Sequence, residues 1–143
     1  MTVRIRPVTP ADTDSVVALW RVVFPEYGDP SRPQRDPREN IERKLTFGDR
    51  LFWLAEVEGR VVGTAMAGYD GHRGWLYSLG VHPDARRSGL GRALLAEAER
   101  ALAVLGCPKL NLQVLSANAG AQTFWQRVGY AQDDVVCFGK RLG

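Results

Sequence analysis

The chain has 143 residues, of which 45% are hydrophobic and 24% charged. This length and composition predict a single globular domain over residues 1–143. No apolar run approaches the roughly 20 residues of a membrane span, and the N-terminus lacks a signal peptide's apolar block, so we expect a cytoplasmic protein without membrane contact. Two cysteines and two histidines form no recognised metal-binding pattern, so no metal is expected. The net charge of +3 is too diffuse to indicate nucleic-acid binding but permits a small anionic ligand.

The N-terminal residues predict a strand followed by a helix. Apolar and basic residues alternate from Val3 to Arg6, which is typical of a half-buried strand. Thr9 followed by Pro10 is typical of a helix N-terminus. Apolar residues then recur at helical spacing, and Pro25 ends the helix.

The next segment predicts a loop, a short helix and a hairpin. Four prolines at 25–37 favour a loop, which is either a surface connection or a lid over a substrate. A short helix is expected over 38–47. Glu58-Gly59 separates two strand-like runs at 51–57 and 60–69, so we expect these to pair antiparallel.

The second half of the chain predicts a parallel crossover unit. A strand at 75–81 is followed by a helix with an apolar stripe over 90–105 and by an alternating strand at 109–115. A further helix is expected over 116–129, closed by a glycine, and a final strand over 135–142. The fold class is therefore a mixed α/β (α+β) domain.

A glycine-containing turn opens the second-half helix, with the sequence Arg86-Arg87-Ser88-Gly89-Leu90-Gly91. Gly89 and Gly91 carry no Cβ, so successive N–H groups can converge on an anion, and the helix N-terminus adds partial positive charge. Arg92-Ala93 replaces the Lys-Ser/Thr pair of a Walker A loop, and Leu94 replaces the third glycine of a dinucleotide fingerprint. The glycines alone also fit an ordinary strand-to-helix turn.

Two motifs in order resemble the signatures of the GNAT N-acetyltransferase superfamily. The first is similar to that family's acetyl-coenzyme A site and comprises Leu79-Gly80-Val81, His82-Pro83 and Arg86-x-x-Gly89-x-Gly91. The second resembles an asparagine-led helix ending in Gly-aromatic, with Asn118, Ala121, Phe124 and Gly129-Tyr130. The order of elements agrees from Val3 to Leu142. Three further segments are similar to small bacterial YpeA-like acetyltransferases, namely 68–74, 106–109 and 139–142.

The resemblance implies a mostly antiparallel central sheet with helices on both faces and a parallel strand pair splayed at the cofactor site. Acetyl-coenzyme A is the implied co-substrate, with its pyrophosphate on the amides of residues 87–91 and its pantetheine arm along the strand ending at Val81. Gly80 is the residue expected to permit the strand's departure from regular pairing. The implied cofactor-binding residues are Leu79, Gly80, Val81, Arg86, Arg87, Ser88, Gly89, Leu90, Gly91, Arg92, Asn118 and Trp125.

The resemblance further implies acetyl transfer to a primary amine by direct attack in a ternary complex, with the Val81 N–H as oxyanion donor. Many relatives carry an acidic or histidine base where this chain has Trp75 and Tyr77. Asp70 and His72 in the preceding loop are therefore the candidate bases, with Tyr77 as a relay. Turn formation by Asp70 and simple solvation of His72 are the alternative interpretations.

Trp125 occupies the position where relatives often place a tyrosine that protonates the leaving thiolate. An indole N–H donates a hydrogen bond but is no acid at working pH, so we expect catalysis to be reduced or rerouted. Two hypotheses follow. One is an active N-acetyltransferase acting on a small-molecule or peptide amine, and the other is a non-catalytic module that binds or senses acyl-coenzyme A. Both a monomer and a homodimer fit the sequence.

Overall fold

The computed structural model describes residues 2–31 and 36–143. The chain divides into two compact units, Met1–Gln113 and Val114–Gly143. Within the described residues, the first unit contains the sheet and three α-helices, and the second contains one α-helix. The assignment of residues 1–143 to a single domain stays a prediction.

Five strands form one sheet in chain order, with the bounds β1 (Val3–Pro7), β2 (Phe52–Val57), β3 (Arg60–Tyr69), β4 (Gly74–Val81) and β5 (Leu110–Leu112). The first four strands pair antiparallel, and β5 pairs parallel to β4. The predicted hairpin is β2–β3, turning through Glu58 and Gly59, both of which have positive φ. The predicted fold class is confirmed.

The α-helices are α1 (Thr13–Val23), α2 (Pro37–Phe47), α3 (Leu90–Val104) and α4 (Ala119–Arg127). Short 3₁₀ turns cover Pro10–Asp12, Pro25–Gly28 and Pro83–Ala85. Thr9 and Asp12 form a capping box at the first of these turns, which continues directly into α1. The loop predicted over 25–37 is only partly described, because residues 32–35 lie outside the described part. Among the described helices, none is both long enough and apolar enough to span a membrane.

Helices cover both faces of the sheet, as predicted. Neighbouring residues of a strand point to opposite faces, and β3 shows the consequence: Thr64 faces α1, whereas a Cβ built at Gly63 would lie 3.0 Å from Leu94 of α3. On the α1 side the core comprises Val8, Val16, Val17, Leu19, Trp20, Ile41, Phe52, Leu54 and Met66. The α3 side buries Leu90, Leu94, Leu95, Ala98 and Leu102.

Two strand predictions are corrected. The strand predicted over 109–115 ends at Leu112, and the strand predicted over 135–142 is wrong. All residues of the second unit are described, and its C-terminal segment has no strand; Phe138 is 91% and Leu142 95% exposed. Apolar residues alone do not make a strand, because its N–H and C=O groups must pair with a neighbouring strand.

Candidate active site

The C-terminal end of β4 has a backbone edge directed away from β3. The N–H of His82 donates to the carbonyl of Val62 at 2.7 Å. Because backbone direction alternates along an antiparallel strand, the N–H and C=O of Val81 point to the opposite side. Arg86 Nε donates to the Val81 carbonyl at 3.1 Å from that side. β5 pairs with β4 only over Gly74–Leu76, so within the first unit's described residues this edge has no strand neighbour.

A β-bulge interrupts β4 just before this edge. Thr64 of β3 pairs with Gly80, but Met66 pairs with Tyr77, so one residue of β3 faces two of β4. Ser78 lies in the bulge with a φ of +52°, in the left-handed region that residues with a Cβ rarely adopt. Bulges of this kind re-aim the backbone that follows them.

Gly80 has no side chain, and this allows close packing against the C-terminal end of β4. The sequence predicts the departure from regular pairing at Gly80, whereas the structure places the left-handed residue at Ser78. A Cβ built at Gly80 would lie 2.8 Å from Phe24 Cζ and 3.1 Å from Val23 Cγ2. Gly80 therefore allows the C-terminal end of α1 to pack directly on β4, beside the outward edge.

The segment from β4 to α3 reverses direction through two left-handed residues, Arg87 with φ +67° and Gly89 with φ +80°. Between them the Ser88 hydroxyl donates to the carbonyl of Ala85 and fixes the turn. No atom lies within 4 Å of a Cβ built at Gly89, so the space beside this residue is open. The helix begins at Leu90.

The N-terminus of α3 fits an anion better than those of the other described α-helices. Asp36 caps α2 and Asn118 caps α4 through side-chain oxygens, and α1 carries Asp14 in its first turn. Gly89 caps α3 without any side-chain hydrogen bond, and the first turn holds no acidic residue but includes Arg92. Because the first N–H groups of a helix have no intrahelical acceptor, this end presents donors and partial positive charge.

The candidate bases lie in an exposed turn before β4. Asp70 Oδ1 accepts hydrogen bonds from the backbone N–H groups of His72 and Arg73, both at 2.8 Å. These bonds lower the pKa of Asp70. Burial raises the pKa of Tyr77, and the nearby charge of Asp70 adds to this effect. Tyr77 is therefore a protonated hydrogen-bond donor at neutral pH, and Asp70 is a weak base that also stabilises its own turn.

In the second unit, Asn118 and Trp125 have local structural roles. Asn118 Oδ1 accepts from the N–H of Ala121 at 3.0 Å and caps α4. The Trp125 ring packs edge-on against Phe124 and Tyr130, each with a centroid distance of 5.1 Å. Trp125, which occupies the position where relatives often carry a tyrosine acid, therefore lies beside the phenol ring of Tyr130.

Comparison with known proteins assigns the chain to a family. The model of the Acetyltransferase (GNAT) family matches residues 14–130. An acetyltransferase of Yersinia enterocolitica is 44% identical over 138 residues, which cover 96% of this chain and 94% of the relative. The chain belongs to the GNAT acetyltransferase family.

Two solved structures share the fold of this GNAT acetyltransferase. The PaiA N-acetyltransferase of Thermoplasma acidophilum, in complex with coenzyme A, has a TM-score of 0.84 at 19% identity and covers 95% of this chain and 94% of its own. The aminoglycoside N-acetyltransferase AAC(6')-Iy, in complex with coenzyme A, has a TM-score of 0.79 at 20% identity, with coverages of 99% and 96%. The predicted enzyme class, an acyltransferase of the acetyltransferase type, is confirmed.

In this GNAT acetyltransferase, the predicted cofactor residues 79–81 and 86–92 lie along one continuous path in the first unit, from β4 through the turn into α3. Asn118 and Trp125 belong to the second unit. Within residues 2–31 and 36–143, no three His, Cys, Asp or Glu side chains cluster as metal ligands would. Sequence reasoning missed Thr64 and Ser78. Thr64 could have been found from the sequence, because it is a polar residue between Gly63 and Ala65 in a buried strand. No local sequence feature marks Ser78.

Proposed function

We propose that this GNAT acetyltransferase transfers the acetyl group of acetyl-coenzyme A to a primary amine of a small molecule or peptide, by direct attack within a ternary complex. The observation that carries the proposal is the outward-directed N–H of Val81. The segment that follows Val81 leads to the N-terminus of α3, which has no side-chain cap hydrogen bond and no acidic residue in its first turn. The Val81 N–H suits a developing oxyanion, and the N-terminus of α3 suits a pyrophosphate.

The pyrophosphate is assigned to the backbone amides of residues 87–91 and to the start of α3. Arg92 adds positive charge in the first helical turn. Arg86 donates to the carbonyl of Val81, so its main contribution is to tie the turn to the end of β4, with its charge nearby. The pantetheine arm is assigned to the edge of β4 beyond its pairing with β5, where backbone groups face outward.

For the chemical step, the acceptor ammonium must lose a proton before attack, since only a neutral amine is nucleophilic. Asp70 and His72 are proposed to take this proton through water, with the Tyr77 hydroxyl as relay. The lowered pKa of Asp70 makes direct proton abstraction by this carboxylate inefficient. The Val81 N–H is proposed to stabilise the oxyanion. A thiol of pKa about 8.5, with cysteine as the model, leaves as thiolate without a dedicated acid, so Trp125 at the tyrosine position slows the reaction and does not prevent it.

The experiment that tests this function incubates the protein with acetyl-coenzyme A and a panel of polyamines, amino acids, peptides and aminoglycosides while free thiol is measured. We expect amine-dependent thiol release and intersecting initial-rate lines when both substrates are varied, as a ternary complex requires. Parallel lines would instead indicate an acetyl-enzyme intermediate. Acetyl-coenzyme A binding by calorimetry without thiol release for any panel member would favour the non-catalytic module.

A further inference from the structure

A buried chain of hydrogen bonds connects α1 to the bulge of β4. Trp20 Nε1 donates to Thr64 Oγ1 at 2.9 Å, and the same hydroxyl donates to the carbonyl of Ser78 at 2.9 Å. Trp20 and Thr64 are each 0% exposed. A hydroxyl accepts and donates at once, so Thr64 satisfies both a buried indole N–H and a bulge carbonyl. We call this the Trp20–Thr64–Ser78 chain.

Thr64 contacts β4 within the bulge and directly after it. Its side chain binds the carbonyl of Ser78, the residue with φ +52°, and its backbone pairs with Gly80, two residues later. A left-handed serine inside a strand is maintained only where its surroundings fix it. Thr64 supplies that fixation through one side-chain and one backbone contact, immediately before Val81.

Trp20 in turn is fixed by aromatic packing. Its ring stacks on Tyr27 at 5.5 Å with an interplanar angle of 10°, and meets Phe24 edge-on at 5.9 Å. The Tyr27 hydroxyl accepts a hydrogen bond from Asn40 Nδ2 of α2. The indole donor is thereby held in one orientation by two helices, and it directs the Thr64 hydroxyl hydrogen toward Ser78.

We propose that Trp20 and Thr64 are positioning residues for acetyl transfer, because they hold the Ser78 bulge in the conformation that aims the Val81 N–H at the reacting carbonyl. This inference rests on the proposed function of Val81. Thr64 faces α1, whereas its neighbour Gly63 faces Leu94 of α3. Loss of the Thr64 hydroxyl should therefore lower turnover by a larger factor than it weakens coenzyme A binding, because the helix N-terminus assigned to the pyrophosphate lies on the other face of the sheet.

The test compares Thr64→Val, which keeps the shape and removes the hydroxyl, with Thr64→Ser, which keeps the hydroxyl. Val17→Ala is the matched control for general loss of stability, because Val17 is buried in α1 but is not part of the Trp20–Thr64–Ser78 chain. With the panel amine that the wild-type protein acetylates fastest, we expect Thr64→Val to lower kcat roughly tenfold or more, since small misplacements at a reacting centre are costly. The Kd for coenzyme A should rise by a clearly smaller factor than kcat falls, because the turn assigned to the pyrophosphate is unchanged and only the β4 edge assigned to the pantetheine arm is affected. Thr64→Ser should recover most of kcat, and Val17→Ala should leave kcat unchanged.

A second measurement does not depend on turnover. Hydrogen exchange of the backbone amides of Gly80, which pairs with Thr64, and His82, which donates to Val62, is followed by NMR in the ligand-free protein. Both amides should exchange about tenfold faster in Thr64→Val than in Val17→Ala, since the bulge opens locally. If the wild-type protein acetylates no panel amine, the proposed function fails. The exchange comparison then still decides whether the Trp20–Thr64–Ser78 chain holds the bulge. Unchanged exchange together with unchanged kcat overturns the inference. Equal losses of kcat in Thr64→Val and Val17→Ala also overturn it.

Trp20→Phe provides an independent variant should Thr64→Val not fold. It keeps an aromatic ring at this position and removes only the indole donor and the second ring. We expect a smaller fall in kcat in the same direction, because one of the two hydrogen bonds remains, and a still smaller change in coenzyme A affinity. A fall in coenzyme A affinity as large as the fall in kcat would indicate a merely structural role and overturn the inference.

Discussion

Among the described residues, four other than glycine have a positive φ. Two of them are in the region assigned to the acyl donor, since Ser78 directly precedes the β4 edge and Arg87 lies in the turn before α3. Each such residue costs of order 1–3 kcal/mol and persists only where its surroundings hold it. Ser78 is held by the hydroxyl of Thr64, and Arg87 by the turn that Ser88 closes. At the scale of single residues, the candidate site is therefore shaped by backbone direction more than by reactive side chains.

Gly89 and Gly59 offer a matched pair for testing the anion-binding turn. Their φ values are +80° and +78°, and a Cβ built at either residue meets no atom within 4 Å. Both Gly89→Ala and Gly59→Ala should therefore lower the free energy of unfolding by about 1–2 kcal/mol, the cost of a left-handed alanine. Only Gly89→Ala should weaken coenzyme A binding, by about tenfold, since it alone alters a helix N-terminus proposed to hold phosphate.

Calorimetric titration with coenzyme A and urea unfolding of both variants check this prediction. Coenzyme A affinity equal to wild type in Gly89→Ala would contradict the assignment of the pyrophosphate to this turn. Weakened affinity in Gly59→Ala would show that the effect is general, because Gly59 lies in the β2–β3 hairpin.

At the scale of elements, a charged cluster ties the first strand to the turn that precedes α1. Arg6 of β1 donates to both carboxylate oxygens of Asp12 at 2.8 Å, and to Glu56 of β2 at 2.9 Å. Asp12 also accepts from the N–H of Thr9, which completes the capping box. The hydrogen bonds from Arg6 are the main reason that the pKa of Asp12 is lowered to about 2. This cluster fixes where the chain leaves the sheet and enters α1.

The lowered pKa of Asp12 predicts a pH-dependent contribution to stability. Because the folded pKa is about 2 and the usual value 3.8, the contribution is fully present above about pH 5, falls below the usual pKa and is lost as pH falls through 2. Asp12→Asn, which can still accept from Thr9, should cost about 2 kcal/mol at pH 7 and close to nothing near pH 2. Urea unfolding at several pH values checks this; a cost that is independent of pH would contradict it.

At the scale of the whole molecule, burial is concentrated in the first unit. Trp20, Leu54 and Leu94 are all 0% exposed, and they lie in the layers on the two faces of the sheet. In the second unit, α4 has no buried residue, and Val135 and Phe138 are 77% and 91% exposed. Stability should therefore depend on the first unit.

Phe138→Ser tests this distribution against Leu94→Ala. Removal of an exposed ring should change the free energy of unfolding by less than about 0.5 kcal/mol, whereas the cavity left at Leu94 should cost about 2–5 kcal/mol. Chemical denaturation of both variants provides the measurement. A loss above about 1.5 kcal/mol for Phe138→Ser would mean that this segment packs as the strand that the sequence predicts.

The sequence predicts correctly wherever a short stretch determines its own conformation. β3 begins and ends where the alternation predicts, the 3₁₀ turn before α1 has the predicted cap, and α3 begins one residue after Gly89. The phosphate-binding interpretation of residues 86–91 depends on such local features, so the proposed donor site is visible in the sequence. The roles of Asp70, His72 and Tyr77 stay predictions, because an isolated loop residue gives no sign of what it faces.

The turns, caps and periodic elements of this acetyltransferase can be derived from its sequence, because they depend on steric and hydrogen-bonding preferences of neighbouring residues. Tertiary structure alone decided the bulge at Ser78, the outward direction of the Val81 N–H and the absence of a strand over 135–142. Each of these depends on which distant segment pairs with the strand or packs on it. Trp20 meets Thr64 across 44 positions of the chain, a contact that no local pattern encodes.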